Sequence, residues 1–490
     1  MSAQSIAHIP TIRLSGGETI PLEFHKVRVV QRLTLAPAAG RVAAIRKAGF
    51  NTFLLPTSAV FLDMLTDSGT NAMSDAQSAA MSLADEAYAG SASFERLEAA
   101  VREVLGKGLV LPVHQGRAAE HIICSSLVEP GSVVPMNYHF TTTRAHVELA
   151  GGSIAELIDP AALDPAAEEP FKGNMDVPRL EELLSGSAGA RVPFVRMEAS
   201  ANLIGGQPFS LANLRAVSRA AKSRGVPLVL DASLLAENVL LIKRREEGCG
   251  GKSIAELFLE CCSLADLVYF SARKLSSSRG GAIATDDPAL FARMRDLVPL
   301  FEGFLTYGGI SLRDVESMAV GLRESLDETV IGQSPAFIEH LARRLDAAGV
   351  PVVLPPGALG VHVDARAFLP GLRAADYPAG ALAAAFYIAS GVRGMERGAI
   401  SAGRDESGRE VPADMELLRL AFPRRVFTLS QLRYAEDRLE WLFANRGLVG
   451  GLRFVEEPST LRFFTGRLEA VGDWPERLAA AFRAEFGEEV

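Results

Sequence analysis

The chain has 490 residues, 48% hydrophobic and 22% charged, with a formal net charge of −9. That is enough apolar material for a large core in about two to four domains, or in one large domain with a smaller companion. The negative charge is diffuse and no basic cluster is interleaved with aromatics, which argues against nucleic acid or an anionic membrane as a partner.

The first stretch, MSAQSIAHIPTIRLSGG, lacks a cationic segment followed by an apolar one, so no secretory signal is expected. No run reaches the roughly 18 apolar residues that a membrane span needs. Cys124, Cys249, Cys261 and Cys262 show no paired CxxC spacing, which speaks against zinc. The adjacent pair in IAELFLECCSLADLVYF reads as buried thiol in a reducing compartment, so a cytoplasmic protein is expected.

From about residue 93 helical and strand patterns alternate. SFERLEAAVREVLG has helical periodicity, LVLPV reads as a buried strand, RAAEHIICSSLV as a helix, and SVVPM after the turn EPG as a strand. RVPFVRM is a strand, SLANLRAVSRAAKSRG a helix ended by glycine, and VPLVLD a strand; SIAELFLECCSL and ADLVYFS repeat the unit. Such alternation predicts an α/β domain, a mostly parallel sheet covered on both faces, with ligands at the carboxyl ends of its strands. Gln115, Asn202, Asp231 and Lys274 fall at or just beyond those ends. After about residue 327 the texture changes to a smaller α+β unit, with PPGALG and SAGRDESGREVPADM as loops.

LVYFSARKLSSSRGG carries the sharpest signal, because a lysine follows a buried strand directly. Desolvation and the neighbouring Arg273 would depress its pKa, as a Schiff-base lysine needs; a solvated lysine is the plain alternative. Asp231, ending VPLVLD, suits the pyridine nitrogen of pyridoxal phosphate, or equally an N-cap for the helix in ASLLAENVLL. HQGRAAEHI places Gln115, Gly116 and Arg117 at a helix start, where backbone amides and an arginine hold anions; a glutamine cap with a surface arginine is as common. Phe140, in NYHFTTT, offers a flat face for a pyridine ring, or is simply core.

Together these segments resemble the β-eliminating lyase family, the tyrosine phenol-lyases and tryptophanases, and the former branch more closely. The likeness runs from about residue 46 to residue 467, through LTDSGTNAMSD, DEAYAGS, HQGR, FTTTRAH, ANLIGGQPFSLANLRAV, EGFLTYGG, GVRGMERGAISAGR, LRLAFPRRV and LRFFTGR. It implies fold-type I of the pyridoxal-phosphate enzymes, related to aspartate aminotransferase. An arm over 1–35, a first part of the small domain over 36–64, a large cofactor domain over 65–327 and the rest of the small domain over 328–490 would follow. A homotetramer with active sites at a subunit interface is implied too.

By that resemblance Lys274 forms the internal aldimine and later takes the substrate's Cα proton, while Asp231 pairs with the pyridinium nitrogen. Phe140 stacks on the ring, Asn202 lies near its phenolic oxygen, and Gln115, Gly116, Arg117 and Ser271 hold the phosphate. Arg419 clamps the substrate carboxylate and Tyr88 protonates the leaving group. Thr141 and Arg397 match the pair that binds the phenol oxygen in the tyrosine phenol-lyase branch; the other branch lacks that arginine. Thr66, Phe304, Phe463 and Phe464 complete the substrate pocket, the two last being equally readable as core. The implied reaction is β-elimination from a tyrosine-like amino acid through a quinonoid, giving a phenol, pyruvate and ammonia.

Several positions depart from the family pattern. The family places an arginine beside the cofactor's phenolic oxygen where this chain has Leu234. Its Lys-Lys-Asp signature is Arg273-Lys274-Leu275, and the next loop is shortened to SSSRGG. That loop normally joins Gly69 and Glu86 in a monovalent-cation site, so Arg279 is expected to replace the potassium ion. Leu359 stands where histidine is expected. These changes leave two alternatives beside the phenol-lyase reading. One is a divergent pyridoxal-phosphate enzyme, such as another lyase, a β-replacement enzyme or an aminotransferase on a modified aromatic amino acid. The other is a cofactor-binding relic without activity.

Overall fold

The computed structural model describes residues 11–405 and 407–487. Its centre is a seven-stranded sheet of β1 (Leu109–Val113), β2 (Val133–Met136), β3 (Ser153–Glu156), β4 (Val195–Glu198), β5 (Leu228–Asp231), β6 (Leu267–Ser271) and β7 (Gly281–Thr285). Their spatial order is β1-β7-β6-β5-β4-β2-β3. The pairs β2–β3, β2–β4, β4–β5 and β5–β6 are parallel, as β-α alternation predicts. The exception is β7, antiparallel to both neighbours, with Gly281 opposite Ser271 on one side and Val113 on the other. The segment from β6 to β7 is too short for a helical crossover, so the chain turns back on itself. The lysine-bearing stretch forms that reversal.

Both faces of the sheet are covered. Helices Ala92–Leu105, Leu211–Lys222, Leu235–Arg245 and Ile254–Leu264 pack one apolar core, and Gly116–Leu127 packs another on the opposite face. The helix read from SLANLRAVSRAAKSRG is capped by Ser210, whose hydroxyl accepts from the Asn213 amide, and its exit passes through Gly225 at φ +66°.

A further core joins residues 38–65 to residues 337–482, so sequence-distant segments share one apolar interior. Within it β8 (Gly360–Asp364), β9 (Met395–Arg397) and β10 (Leu417–Ala421) form an antiparallel sheet of order β8-β10-β9. Met395 lies opposite Arg419, which brings β9 and β10 into register at the edge facing the large sheet. No helix among the described residues is long and apolar enough to cross a membrane.

Candidate active site

The strand ends of the large sheet and the edge of the small one enclose a cavity of about 260 Å³. Lys274 enters it from the short helix Ala272–Leu275, immediately after β6. Asn71 Nδ2 donates to the Lys274 carbonyl at 3.2 Å, and Arg424 Nη1 donates to the Leu275 carbonyl at 2.7 Å, so the backbone around the lysine is held from two sides. The Lys274 amine lies 3.9 Å from the Asp67 carboxylate and 5.5 Å from the centre of the Phe140 ring. A flat molecule lying on Phe140 would meet the amine.

Asp231 closes the cavity floor. Its Oδ1 accepts from the Ser233 amide at 3.0 Å, and its Oδ2 accepts from Arg196 Nη2 at 2.8 Å and from the Tyr269 hydroxyl at 2.9 Å. The next helix has Leu234 at its cap position and no side-chain cap, so Asp231 does not serve that helix. Gln115 likewise makes no capping bond to the helix Gly116–Leu127. The first intrahelical bonds run from the Ala118 and Ala119 amides to the Gln115 carbonyl, so the Gly116 and Arg117 amides are left over at the cavity, an arrangement suited to an anion. Gly116 is required there: a Cβ would sit 2.9 Å from the Ser271 Cβ. Ser271 and Arg117 line the same corner.

Arg397 and Arg419 close the cavity from the small-domain side. Asn202 Oδ1 accepts from Arg419 Nη1 at 2.7 Å and from Arg397 Nη2 at 3.4 Å. Arg419 Nη2 also donates to the Leu65 carbonyl at 2.8 Å. Burial depresses both guanidinium pKa values, that of Arg419 to about 10. For Arg397 the nearby Arg419 cation adds to the effect of burial. Burying two like charges side by side is costly unless an anionic partner is meant to join them. The Arg397 guanidinium lies 5.9 Å from the Phe463 ring centre, Phe464 packs edge-on to Phe53 at 5.1 Å, and Thr66 borders the same space.

The buried polar atoms without a protein partner include Arg397 Nε and Nη1, Arg419 Nε, Thr141 Oγ1 and Asn202 Nδ2. All belong to residues that line this cavity. Such orphans are costly, and their convergence marks where a polar ligand belongs.

The chain is matched over residues 63–438 by the family model described as beta-eliminating lyase. The chain belongs to the β-eliminating lyase family. It is 45% identical to a tyrosine phenol-lyase of Intrasporangium calvum over 448 residues, 91% of this chain and 95% of that protein. A tryptophanase of Salinibacter ruber is 44% identical over 448 residues, with the same coverage. Overall identity therefore does not separate the two branches. In fold the chain is similar to a Leishmania major threonine aldolase, at TM-score 0.56 and 15% identity, covering 78% of this chain and 99% of that one. A Sphingomonas wittichii serine palmitoyltransferase matches at TM-score 0.55 and 15% identity, over 79% and 88% of the respective chains. The fold is the type I fold of pyridoxal-phosphate enzymes, as the lyase resemblance implies.

Some expected members of this β-eliminating lyase site lie outside the cavity. Tyr88 is 70% exposed and stacks on Phe304, with ring centres 5.5 Å apart. Glu86 pairs with Arg313 at 3.0 Å, and Gly69 sits under the guanidinium groups of Arg273 and Arg279. Arg279 Nη1 donates to the Gly69 carbonyl at 2.6 Å. Leu359 is buried against Gly206, and its carbonyl accepts from the Phe422 amide at 3.1 Å. That position is a packing contact in this chain. Leu234 does line the cavity.

Arg196, Glu198, Tyr269 and Glu120 form a buried polar group behind Asp231 that sequence reading did not single out. The signal was present in PFVRME, where two charges alternate within a strand buried on both faces.

Proposed function

We propose that this chain is a pyridoxal-phosphate lyase that splits tyrosine, or a close phenolic analogue, into a phenol, pyruvate and ammonia. The observation that carries the choice of substrate is the placement of Arg397 and Thr141. Arg397 is buried and Thr141 half-buried at one cavity, each with a buried hydrogen-bonding atom that has no protein partner, beside Phe463 and Phe464. An aromatic pocket with fixed hydrogen-bond groups discriminates strongly for a ring hydroxyl, because ligands lacking it leave those groups unpaired.

The residues present fit the cofactor: an amine, a flat aromatic face, a carboxylate and a glycine-opened helix start all border one cavity. Lys274 would hold it covalently, Phe140 would support its ring, Asp231 would face its nitrogen, Asn202 would reach its phenolic oxygen, and Gln115 to Arg117 with Ser271 would take its phosphate. Bound there, pyridoxal phosphate supplies an electron sink for charge that develops at the substrate Cα.

The chain's own groups do the rest. Arg419 orients the substrate through its carboxylate, and Lys274 Nζ takes the Cα proton. Thr141 and Arg397 fix the phenol oxygen while its proton is lost and the ring carbon gains one, because an aryl group leaves poorly until its ring carbon is protonated. Tyr88 delivers that ring proton from a neighbouring subunit. Its exposure, and that of Val29 at 91% and Val30 at 82%, supports an assembly that covers these surfaces, a homotetramer with sites shared between protomers. Arg279, seated on the Gly69 carbonyl, stands in for a monovalent cation. The four cysteines are free and buried, which supports a cytoplasmic, reducing location.

Leu234 favours the second reading, another pyridoxal-phosphate reaction on an aromatic amino acid, because it removes a cation from beside the cofactor. Incubation of the holoenzyme with tyrosine and its analogues separates the two. Equimolar phenol and pyruvate are expected; turnover that releases no phenol would establish the alternative.

A further inference from the structure

Arg196 and Glu198 project from β4 on the same face, because alternate residues of a strand point the same way, and Glu198 lies opposite Asp231 in the neighbouring strand. Arg196 is 1% exposed. Its guanidinium donates to Asp231 Oδ2 at 2.8 Å and to Glu198 Oε2 at 3.1 Å, and stands 4.0 Å from the Glu120 carboxylate. Its Nε also donates to the Tyr269 hydroxyl at 3.0 Å, and that hydroxyl in turn donates to Asp231 Oδ2 at 2.9 Å.

Each carboxylate oxygen accepts about two hydrogen bonds. Oδ2 of Asp231 is therefore filled by Arg196 and Tyr269, whereas Oδ1 holds only the Ser233 amide at 3.0 Å and keeps one acceptor position. We propose that Arg196, together with Tyr269, is a positioning residue for Asp231: it occupies Oδ2, turns Oδ1 toward the ring nitrogen of the cofactor, and neutralises part of the charge that would hold a proton on that nitrogen. This rests on the cofactor reading given above.

Of the three carboxylates around Arg196, that of Asp231 makes the shortest contact, 2.8 Å against 3.1 Å to Glu198 and 4.0 Å to Glu120. Burial pushes the pKa of both Glu120 and Glu198 upward, while the Arg196 cation pulls both down. Arg196 itself, although burial opposes its charge, is held well above the usual range by Tyr269, Glu198, Asp231 and Glu120. A fixed cation thus stands directly behind the carboxylate. Leu234, also buried at the cavity, supplies none on its own side. The ring nitrogen is accordingly less protonated here than beside an unpaired aspartate, and the electron sink is weaker.

The test is the 15N chemical shift of ring-labelled pyridoxal phosphate in the holoenzyme, read by solid-state NMR. Arg196→Met is expected to move the signal upfield, toward the pyridinium value, and Arg196→Lys to hold it near wild type because the cation is kept. Tyr269→Phe removes one donor from Oδ2 without stranding a charge, and so reads the same shift, smaller, if Arg196→Met does not fold. An unchanged or downfield signal in Arg196→Met, or in Tyr269→Phe where only that variant folds, overturns the inference. Failure of the wild-type chain to take up labelled cofactor would instead overturn the cofactor reading.

Discussion

Arg279 donates to the carbonyl oxygen of Gly69 at 2.6 Å. The contact spans the loop after Lys274 and the segment that carries Thr66, Asp67 and Ser68, whose backbone is also tied to Arg273: the Gly69 amide donates to the Arg273 carbonyl at 2.9 Å. Under the proposed reading the guanidinium takes the place of a monovalent cation, since both would satisfy that backbone oxygen with positive charge. Activity of the wild-type holoenzyme is therefore expected to be the same in potassium and in a large organic cation. Arg279→Ser should lose about tenfold in kcat/KM without potassium, the scale of one hydrogen bond to a charged group, and recover part of it when potassium is added. A strong potassium response in the wild type would contradict this role.

With the cofactor held as proposed, Leu234 would leave its phenolic oxygen without the arginine that the family resemblance implies there. A cation favours the deprotonated form of a neighbouring acid. Leu234→Arg is expected to lower the pH midpoint of the bound cofactor's absorption change by about one to two units, on the scale of a close opposite charge. A pH titration followed by visible absorbance reads this directly. An upward or absent displacement would show that the leucine does not set the electrostatics at that edge.

Five of the seven strands, β1, β2, β4, β5 and β6, were legible as short, mostly apolar runs alternating with periodic helical segments, whereas β3, SIAE, is too short and polar to stand out. β7 was not legible either, because GAIAT carries no mark of direction and its antiparallel pairing follows from the short return after Lys274. Lys274, Asp231 and Gln115 were visible as strand-end polar residues, and Arg397 and Arg419 only through resemblance, since nothing local distinguishes them from surface arginines. Both are buried against one acceptor, Asn202, which lies 195 and 217 residues away in sequence on a turn of the large domain. Arg196 was hidden for the opposite reason: its place behind Asp231 depends on a cross-strand pairing that no spacing within one segment reveals.

Tyr88 tests the sharing of sites between subunits. Tyr88→Phe and Arg419→Met should each be nearly inactive alone, because one would lack the proposed proton donor and the other the proposed carboxylate clamp. In a mixed dimer, the site with intact Arg419 receives Tyr88 from the other protomer. Dissociating and re-pairing the two variants should therefore restore roughly a quarter of wild-type activity under random pairing of a two-fold interface. No recovery in a verified hybrid would place Tyr88 within its own protomer's site.

Glu416 links the small-domain sheet to pH. Its two carboxylate oxygens accept from the Ala399 amide at 2.8 Å and the Ala379 amide at 3.3 Å, just beyond Arg397. Burial, with Glu396 nearby, pushes its pKa from 4.5 up to about 7. The folded chain thus keeps a proton that the unfolded chain releases, so the slope of stability with pH is negative between those values. The contribution is fully present below the unfolded value and is lost as pH rises through the folded one. Glu416→Gln stays neutral throughout and should flatten that slope. Urea unfolding should show the variant close to wild type at low pH and more stable above neutrality, by about 1–3 kcal/mol. Equal midpoints under alkaline conditions would show that Glu416 is held as a carboxylate by its two amides despite its burial.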